Sequence, residues 1–311
     1  MTKKTCNRRE FLAGTGLLAG RSFLDRKFLF AAASEGQPDY HPKLSLASYI
    51  FVQRFQSQKR PLSDGVEEML ATAHRAGFRR VELMAEFLTP QLRTKTIARL
   101  KQNRLEMPTV YAGSTMHEPR AAEKSIREIL DLAEAIKPAG VKAIVTNPSP
   151  KPNGARKSDQ ELAVQARALN ELGIELRKRG LELMIHHHTP ELVDNAREWR
   201  YELAHTDPKV VSCCVDVDWA VHGGQEPVPF LREVGSRLAS LHLRNTSRGV
   251  WMEDFGDGDI DYHKVASYLE QISFRGYLVV ELAYEKQSKV TRSLEEDLRL
   301  SREYAERVFS L

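Results

Sequence analysis

The sequence predicts an α/β protein whose parallel strands close into a single barrel. From residue 44 onward, eight short apolar runs alternate with longer amphipathic segments. Several of these segments end at a glycine, which readily adopts the left-handed conformation that closes a helix. Repeated strand–helix units imply a parallel sheet covered by helices. Eight units, in a stretch close to the ~250 residues typical of the fold, predict a (β/α)8 TIM barrel.

The eight predicted strands are apolar runs spaced along the chain. In order they are Leu44–Phe51, Arg80–Leu83, Met107–Tyr111, Lys142–Thr146, Leu181–Ile185, Val211–Val215, Leu238–Leu241 and Tyr277–Val280. Predicted helices include Gly65–Ala76, Ala121–Ala135, Asp159–Arg179 and Asp261–Ser273. The glycines expected to close helices are Gly77, Gly140, Gly180 and Gly276. A doubly wound open sheet is the alternative, but it would place a glycine-rich phosphate turn after the first strand, and none follows Phe51.

The charge of the chain is concentrated at its N-terminus. The 311 residues carry a net charge of +4. Residues 1–33 hold seven basic and two acidic side chains, a net charge of +5, so the remainder carries −1. A nucleic-acid-binding protein is expected to carry a basic face. We therefore expect no nucleic-acid partner for the folded part of the chain.

Residues 1–33 resemble a twin-arginine-type signal peptide. Arg8-Arg9 precedes an apolar stretch that runs to Gly20, and Ala31–Ala33 offers a small-residue cleavage site. Charged residues from Arg21 onward interrupt the apolar region, so the uninterrupted piece is too short to form a stable membrane span. We expect export to the periplasm, with residues 34–42 as a linker and 43–311 as the barrel. A basic segment without an export role is the alternative.

The cysteines do not suggest a disulfide framework. Cys213 and Cys214 are neighbours in a predicted strand, and successive strand residues point to opposite faces. We expect both to be small core residues.

Polar residues follow four consecutive predicted strands. They are His186, Asp216, His242 and Glu281, in the fifth to the eighth strand–helix units. Because barrel enzymes place their sites at the carboxyl ends of the strands, these side chains are expected to converge. Imidazole and carboxylate ligands together suit one divalent metal ion, which we expect to be Mn²⁺, Co²⁺, Fe²⁺, Zn²⁺ or Mg²⁺. Taken singly, each residue is also compatible with a structural role, such as capping a helix.

Several motifs give the chain a resemblance to the xylose isomerase-like TIM-barrel family, which includes sugar isomerases, keto-sugar 3-epimerases and inosose dehydratases. The matching segments are Gly77–Leu83, Asp216–Ala220, Leu241–Asn245, Gly256–Asp261 and Val280–Glu281. The resemblance implies a small carbohydrate substrate and metal ligation by Asp216 and His242. It also implies that Glu82, in the second strand, binds substrate.

The chain departs from the family pattern at three places. His186 stands where the isomerases and epimerases usually have a ligand glutamate, in a run similar to that of the inosose dehydratase branch. Trp219 stands where epimerases often have a substrate-binding histidine. Arg244 and Asn245 replace a Lys-Asp pair. We expect Trp219 and Arg244 to bind substrate, and pairing with Asp259 is the alternative for Arg244.

These departures bear on the reaction. Of the two glutamate bases implied by the family, only Glu281 is present, and one base with a metal suits an isomerisation or a β-elimination better than an epimerisation. We expect a metal-dependent isomerase or epimerase that acts on a sugar or keto-sugar through an enediolate. His188 and Glu191 are candidate acids or bases. The alternative is that they orient the metal ligand His186 without binding the metal themselves.

Three other functions stay open at this point. The first is a dehydratase or lyase that carries out β-elimination on a keto-sugar, cyclitol or oxidised glycoside. The second is a non-catalytic carbohydrate-binding barrel. The third is an endonuclease of the related DNA-repair branch, and the net charge of −1 outside the leader argues against it.

The leader gives a first prediction. Arg8→Lys combined with Arg9→Lys should leave the protein in the cytoplasm with its leader attached, because the paired arginines are the expected export signal. Fractionation of cells followed by intact-mass analysis measures this. Normal export and processing of the double variant would show that the segment is not a twin-arginine signal.

Overall fold

The computed structural model describes residues 39–311, so the predicted leader and most of the predicted linker lie outside the described residues. Eight parallel strands close into a barrel in the order β1-β10-β7-β6-β5-β4-β3-β2. The barrel strands are β1 Lys43–Ala47, β2 Arg80–Met84, β3 Glu106–Tyr111, β4 Ala143–Thr146, β5 Glu182–Ile185, β6 Val211–Asp216, β7 Leu238–Leu243 and β10 Tyr277–Val280. Strands β8 Thr246–Ser247 and β9 Val250–Trp251 form a separate antiparallel hairpin. The predicted (β/α)8 TIM barrel is confirmed.

Helices cover the outside of the barrel. They are α1 Tyr49–Ser57, α2 Leu62–Arg75, α3 Arg93–Gln102, α4 Pro119–Ile136, α5 Asp159–Lys178, α6 Thr189–His205, α7 Val217–His222, α8 Pro227–Val234, α9 Tyr262–Gln271 and α10 Leu294–Val308. Between residues 39 and 311, no helix combines the length and apolar character needed to cross a membrane.

The first predicted strand is wrong beyond Ala47. The apolar run continues to Phe51, but helix α1 begins at Tyr49 and buries Ile50, Phe51, Val52 and Phe55. The spacing of these residues fits one helical face, whereas a short apolar run by itself does not distinguish a strand from a buried helix.

Three of the four predicted helix-closing glycines have the expected backbone. Gly77, Gly140 and Gly180 have φ values of 91°, 89° and 73°. The prediction for Gly276 is wrong, because Ser273, with φ of 52°, adopts the left-handed conformation just after α9. Gly276 is needed for a different reason, a close approach to β7.

The barrel separates two apolar regions. A small cluster fills the interior: Ala47, Ala143, Val145, Met184, Cys214, Tyr277 and Val279. A larger cluster lies between strands and helices and includes Cys213. The adjacent cysteines therefore point to opposite faces of β6, as strand geometry requires, and both thiols are free.

Helix α6 is interrupted soon after it begins. Asp194, Asn195 and Ala196 have φ values of 54°, 60° and 55°, a conformation that costs free energy for residues other than glycine. The interruption separates the first turn, which carries Glu191, from the rest of the helix.

The close approach of Gly276 to β7 gives a second prediction. A Cβ atom at this position would lie 2.0 Å from the backbone oxygen of Ala239, an atom that cannot rotate away. Gly276→Ala should therefore lower the free energy of unfolding by about 2 kcal/mol or more, as overpacking does. Urea denaturation measures this.

Gly113→Ala is the matched control. Its added Cβ would meet no atom within 4 Å among the described residues, so stability should change by no more than about 0.5 kcal/mol. Equal stability of the two variants would contradict the packing argument.

Candidate functional site

A cavity of about 300 Å³ opens at the carboxyl ends of the strands. Its lining residues are Ala47, Ser48, Tyr49, Glu82, Met84, Tyr111, His188, Trp219, Arg244, Trp251 and Glu281. Glu82, His188, Trp219, Arg244 and Glu281 are residues that the sequence marked as candidates. The volume is at the lower end of that found for small-molecule sites.

Three of the four predicted metal ligands meet beneath this cavity. Asp216 is the last residue of β6 and is paired in register with His242 of β7. Glu281 follows β10, whose Val279 is paired with His242. One ligand atom from each of Asp216, His242 and Glu281 lies within 4.8 Å of the others. Parallel register in three adjacent strands brings these residues together.

His242 lies between two carboxylates. Its Nδ1 atom is 3.1 Å from Oε2 of Glu281, and its Nε2 atom is 2.8 Å from Oε1 of Glu82. Burial opposes the charged imidazole, but Cys214, Glu82 and Glu281 outweigh burial and raise the pKa of His242 well above its usual value.

Arg244 is the second cation of the site. Its Nη2 atom donates to Oδ2 of Asp216 at 2.5 Å and to Oε2 of Glu281 at 3.0 Å. Burial opposes the ionised form of Glu281, but Arg244 and His242 outweigh burial and hold its pKa below the usual value. Glu281 is therefore a carboxylate at neutral pH. For Asp216, burial is the larger effect and raises its pKa to about 6.

Asp216 both caps a helix and pairs with Arg244. Its Oδ1 atom accepts a hydrogen bond of 2.8 Å from the backbone N–H of Trp219 and so caps helix α7. Its Oδ2 atom faces Arg244. The capping role considered for this residue is thus present together with its position in the cluster.

Among residues 39–311, His186, the fourth predicted ligand, is not grouped with Asp216 and Glu281, and its role as a ligand to the same ion stays a prediction. It is fully buried, and neither ring nitrogen has a hydrogen-bond partner among residues 39–311. Its ring centre is 4.6 Å from that of His242. Within residues 39–311, His186 forms a group of possible metal ligands with Cys214 and His242.

His188 faces the cavity, whereas Glu191 lies behind it. Burial lowers the pKa of His188 to about 4, so this imidazole is neutral at pH 7. Oε2 of Glu191 accepts the backbone N–H of His188 at 2.7 Å. Burial raises the pKa of Glu191 to about 7. Among residues 39–311, the residues that line the cavity do not include Glu191.

The β8–β9 hairpin supplies a cavity residue that the sequence analysis missed. Arg248 and Gly249 form its turn with positive φ, and the carboxylate of Asp259 accepts both backbone N–H groups. Trp251 follows the turn, and its indole N–H donates to Oδ2 of Asp218 at 2.9 Å. Asp259 therefore holds the hairpin, and Arg244 pairs with Asp216 instead.

Aromatic side chains form much of the cavity wall. The guanidinium carbon of Arg244 lies 5.1 Å from the ring centre of Trp219 and 4.9 Å from that of Trp251. Tyr49 and Tyr111 also line the cavity. Tyr111 ends a correctly predicted strand, so its place at the site could be inferred from the sequence. Tyr49 could not be found in this way, because the first strand was wrongly predicted to continue through it to Phe51.

The donor set fits a divalent cation. One imidazole and two carboxylates are suitable ligands for Mn²⁺, Fe²⁺, Co²⁺ or Zn²⁺. The contact between Glu82 and the far nitrogen of His242 is typical of the carboxylates that orient metal-binding histidines. Arg244 competes for the same oxygens of Asp216 and Glu281, so metal binding would require its guanidinium to move away from them.

Comparison with known proteins identifies the family of the chain. The chain matches the family model described as "Xylose isomerase-like TIM barrel" over residues 70–304. A protein of Clostridium perfringens named inosose dehydratase is 27% identical over 142 residues, which are 40% of this chain and 48% of that protein. The inosose dehydratase of Geobacillus kaustophilus is 25% identical over 222 residues, 62% of this chain and 71% of that protein. The chain thus spans about half the length of the first of these relatives.

Solved structures share the fold at low identity. A sugar phosphate isomerase/epimerase from Parabacteroides distasonis aligns with a TM-score of 0.68 and 18% identity, covering 90% of this chain and 96% of that one. A D-psicose 3-epimerase from Clostridium cellulolyticum aligns with a TM-score of 0.65 and 15% identity, covering 86% and 99%. Because the family model matches most of the chain, this protein belongs to the xylose isomerase-like TIM-barrel family.

Proposed function

We propose that this protein is a metal-dependent isomerase or epimerase that acts on a sugar or keto-sugar through an enediolate. One observation carries the proposal: Glu281 and His188 line the same cavity, and Glu281 also belongs to the Asp216–His242–Glu281 donor set. A divalent cation held by these three residues would polarise a substrate carbonyl and make the adjacent C–H more acidic.

Glu281 is the proposed base. Its pKa is kept low by Arg244 and His242, so it is ready to accept a proton at neutral pH. A low pKa also weakens a base, and His188 is therefore the rival for this role. Return of the proton to the neighbouring carbon would give isomerisation. Delivery of a proton to the opposite face of the same carbon, by His188 after it takes one from solvent, would give epimerisation.

The rest of the cavity suits a carbohydrate. Trp219, Trp251 and Tyr111 offer flat apolar surfaces with polar edges, onto which the C–H face of a sugar ring can pack. Arg244 and Glu82 provide a donor and an acceptor for hydroxyl groups. If the leader acts as we expect, the substrate is one that the protein meets outside the cytoplasm.

Dehydration is the second candidate. The curated relatives described above are named inosose dehydratases, and His186–His188 resembles the run of that branch. Elimination would begin with the same loss of a proton beside the carbonyl. His188, after taking a proton from solvent, would then donate it to the departing hydroxyl group, which would leave as water.

The chemistry gives a third prediction. Glu281→Gln, tested at saturating metal in heavy water with a panel of keto-sugars and keto-cyclitols, should reduce deuterium incorporation beside the carbonyl by at least about 100-fold. Substrate binding should change much less, because the variant keeps the shape of the side chain. NMR measures the exchange, and His188→Asn is the parallel variant.

The products separate the two candidates. An isomer keeps the mass of the substrate, whereas dehydration removes one water. Turnover by the wild type with a primary isotope effect at that carbon but without exchange there would refute the enediolate route and favour a hydride shift between carbons.

The metal gives a fourth prediction. His242→Ala should weaken Mn²⁺ binding by at least about tenfold, since even changes behind a metal ligand commonly cost that much. Calorimetric titration of metal-free protein measures the affinity, and circular dichroism checks the fold. His205→Ala, at an exposed position of α6, is the matched control and should bind as the wild type does. Unchanged affinity in His242→Ala would exclude the proposed ligand set.

A further inference from the structure

A cysteine lies one layer below the proposed metal ligands. Cys214 precedes Asp216 by two residues on β6, so both side chains point to the same face of the strand. That face is the barrel interior, where Cys214 packs with Val145 and Met184. The thiol is fully buried and free.

The thiol completes a second group of potential ligands. The sulfur of Cys214 and one ring nitrogen each of His186 and His242 all lie within 4.8 Å of one another. His186 is 0% exposed, and neither of its nitrogens has a hydrogen-bond partner within residues 39–311. A buried imidazole with two unsatisfied nitrogens is unusual and needs an explanation. A bound cation would satisfy one of them.

We propose that His186, Cys214 and His242 form a second, deeper cation site that prefers soft divalent ions such as Zn²⁺ and Cd²⁺ to Mg²⁺ or Mn²⁺. Thiolate and imidazole are the ligands that zinc and softer ions select, whereas carboxylate-rich sets suit harder ions. On binding, the Cys214 thiol loses its proton to solvent as the sulfur–metal bond forms. No oxidant or reductant is needed.

The two donor sets share His242. A neutral imidazole carries its proton on one nitrogen and offers a lone pair on the other, so His242 serves one cation at a time. A soft ion in the deeper site would withdraw His242 from Asp216 and Glu281. The deeper site does not depend on the proposed carbohydrate chemistry, because its ligands exist whatever the substrate is.

Co²⁺ is the probe that distinguishes the two sites. Cobalt bound to a thiolate gives an intense sulfur-to-metal charge-transfer absorption in the near ultraviolet, and cobalt bound only to nitrogen and oxygen does not. Metal-free full-length protein should develop this absorption when titrated with Co²⁺. Cys214→Ser and Cys214→Ala should both lack it. Cys213→Ala is the matched control, because that adjacent buried thiol faces the helices, and it should keep the absorption.

Two further variants separate this proposal from the proposed function. Glu281→Gln alters the upper set only, so it should keep the charge-transfer absorption even if it abolishes proton exchange. His186→Ala should weaken Cd²⁺ binding, measured by calorimetry, by at least about tenfold, with the fold checked by circular dichroism. Absence of the absorption in cobalt-saturated Glu281→Gln, whose upper set is weakened, its persistence in a folded Cys214 variant, or unchanged Cd²⁺ affinity in folded His186→Ala would overturn the proposal.

Discussion

The site depends on the register of three neighbouring parallel strands. Asp216 is paired with His242, and His242 with Val279, so the carboxyl ends of β6, β7 and β10 lie at one level of the barrel. A shift of one residue in any of these strands would turn its side chain from the interior to the helical layer. The same register places Cys214 inside the barrel and Cys213 among the helices. The positions of both donor groups therefore depend on this register.

Bringing these residues together concentrates buried charge. Asp216, Asp218 and Glu281 surround Arg244 in a region with little access to water, where unpaired charges are costly. Arg244 contacts all three carboxylates, at 2.5, 3.7 and 3.0 Å, and His242 adds a contact to Glu281. Acidic groups outnumber the basic ones in this cluster, which gives a cation an electrostatic reason to bind. Arg244 already neutralises part of this negative charge. Its guanidinium must therefore move for a metal ion to reach the oxygens of Asp216 and Glu281.

Segments outside the barrel strands complete the wall of the cavity above the cluster. The hairpin after β7 carries Trp251 over Arg244, and Asp259 fixes its turn through two backbone N–H groups. Glu191 holds the backbone of His188 where α6 begins. These segments shape the cavity without contributing to the Asp216–His242–Glu281 donor set.

The sequence by itself determined the barrel and the placement of Asp216, His242 and Glu281, because hydrophobic periodicity locates strands and barrel geometry makes their ends converge. It failed at Tyr49, because an apolar run does not reveal where a strand becomes a helix. Only the tertiary structure decided that His186 faces Cys214 and that Trp251 covers Arg244. Those contacts depend on side-chain direction and on an irregular hairpin, neither of which has a repeating signal along the chain.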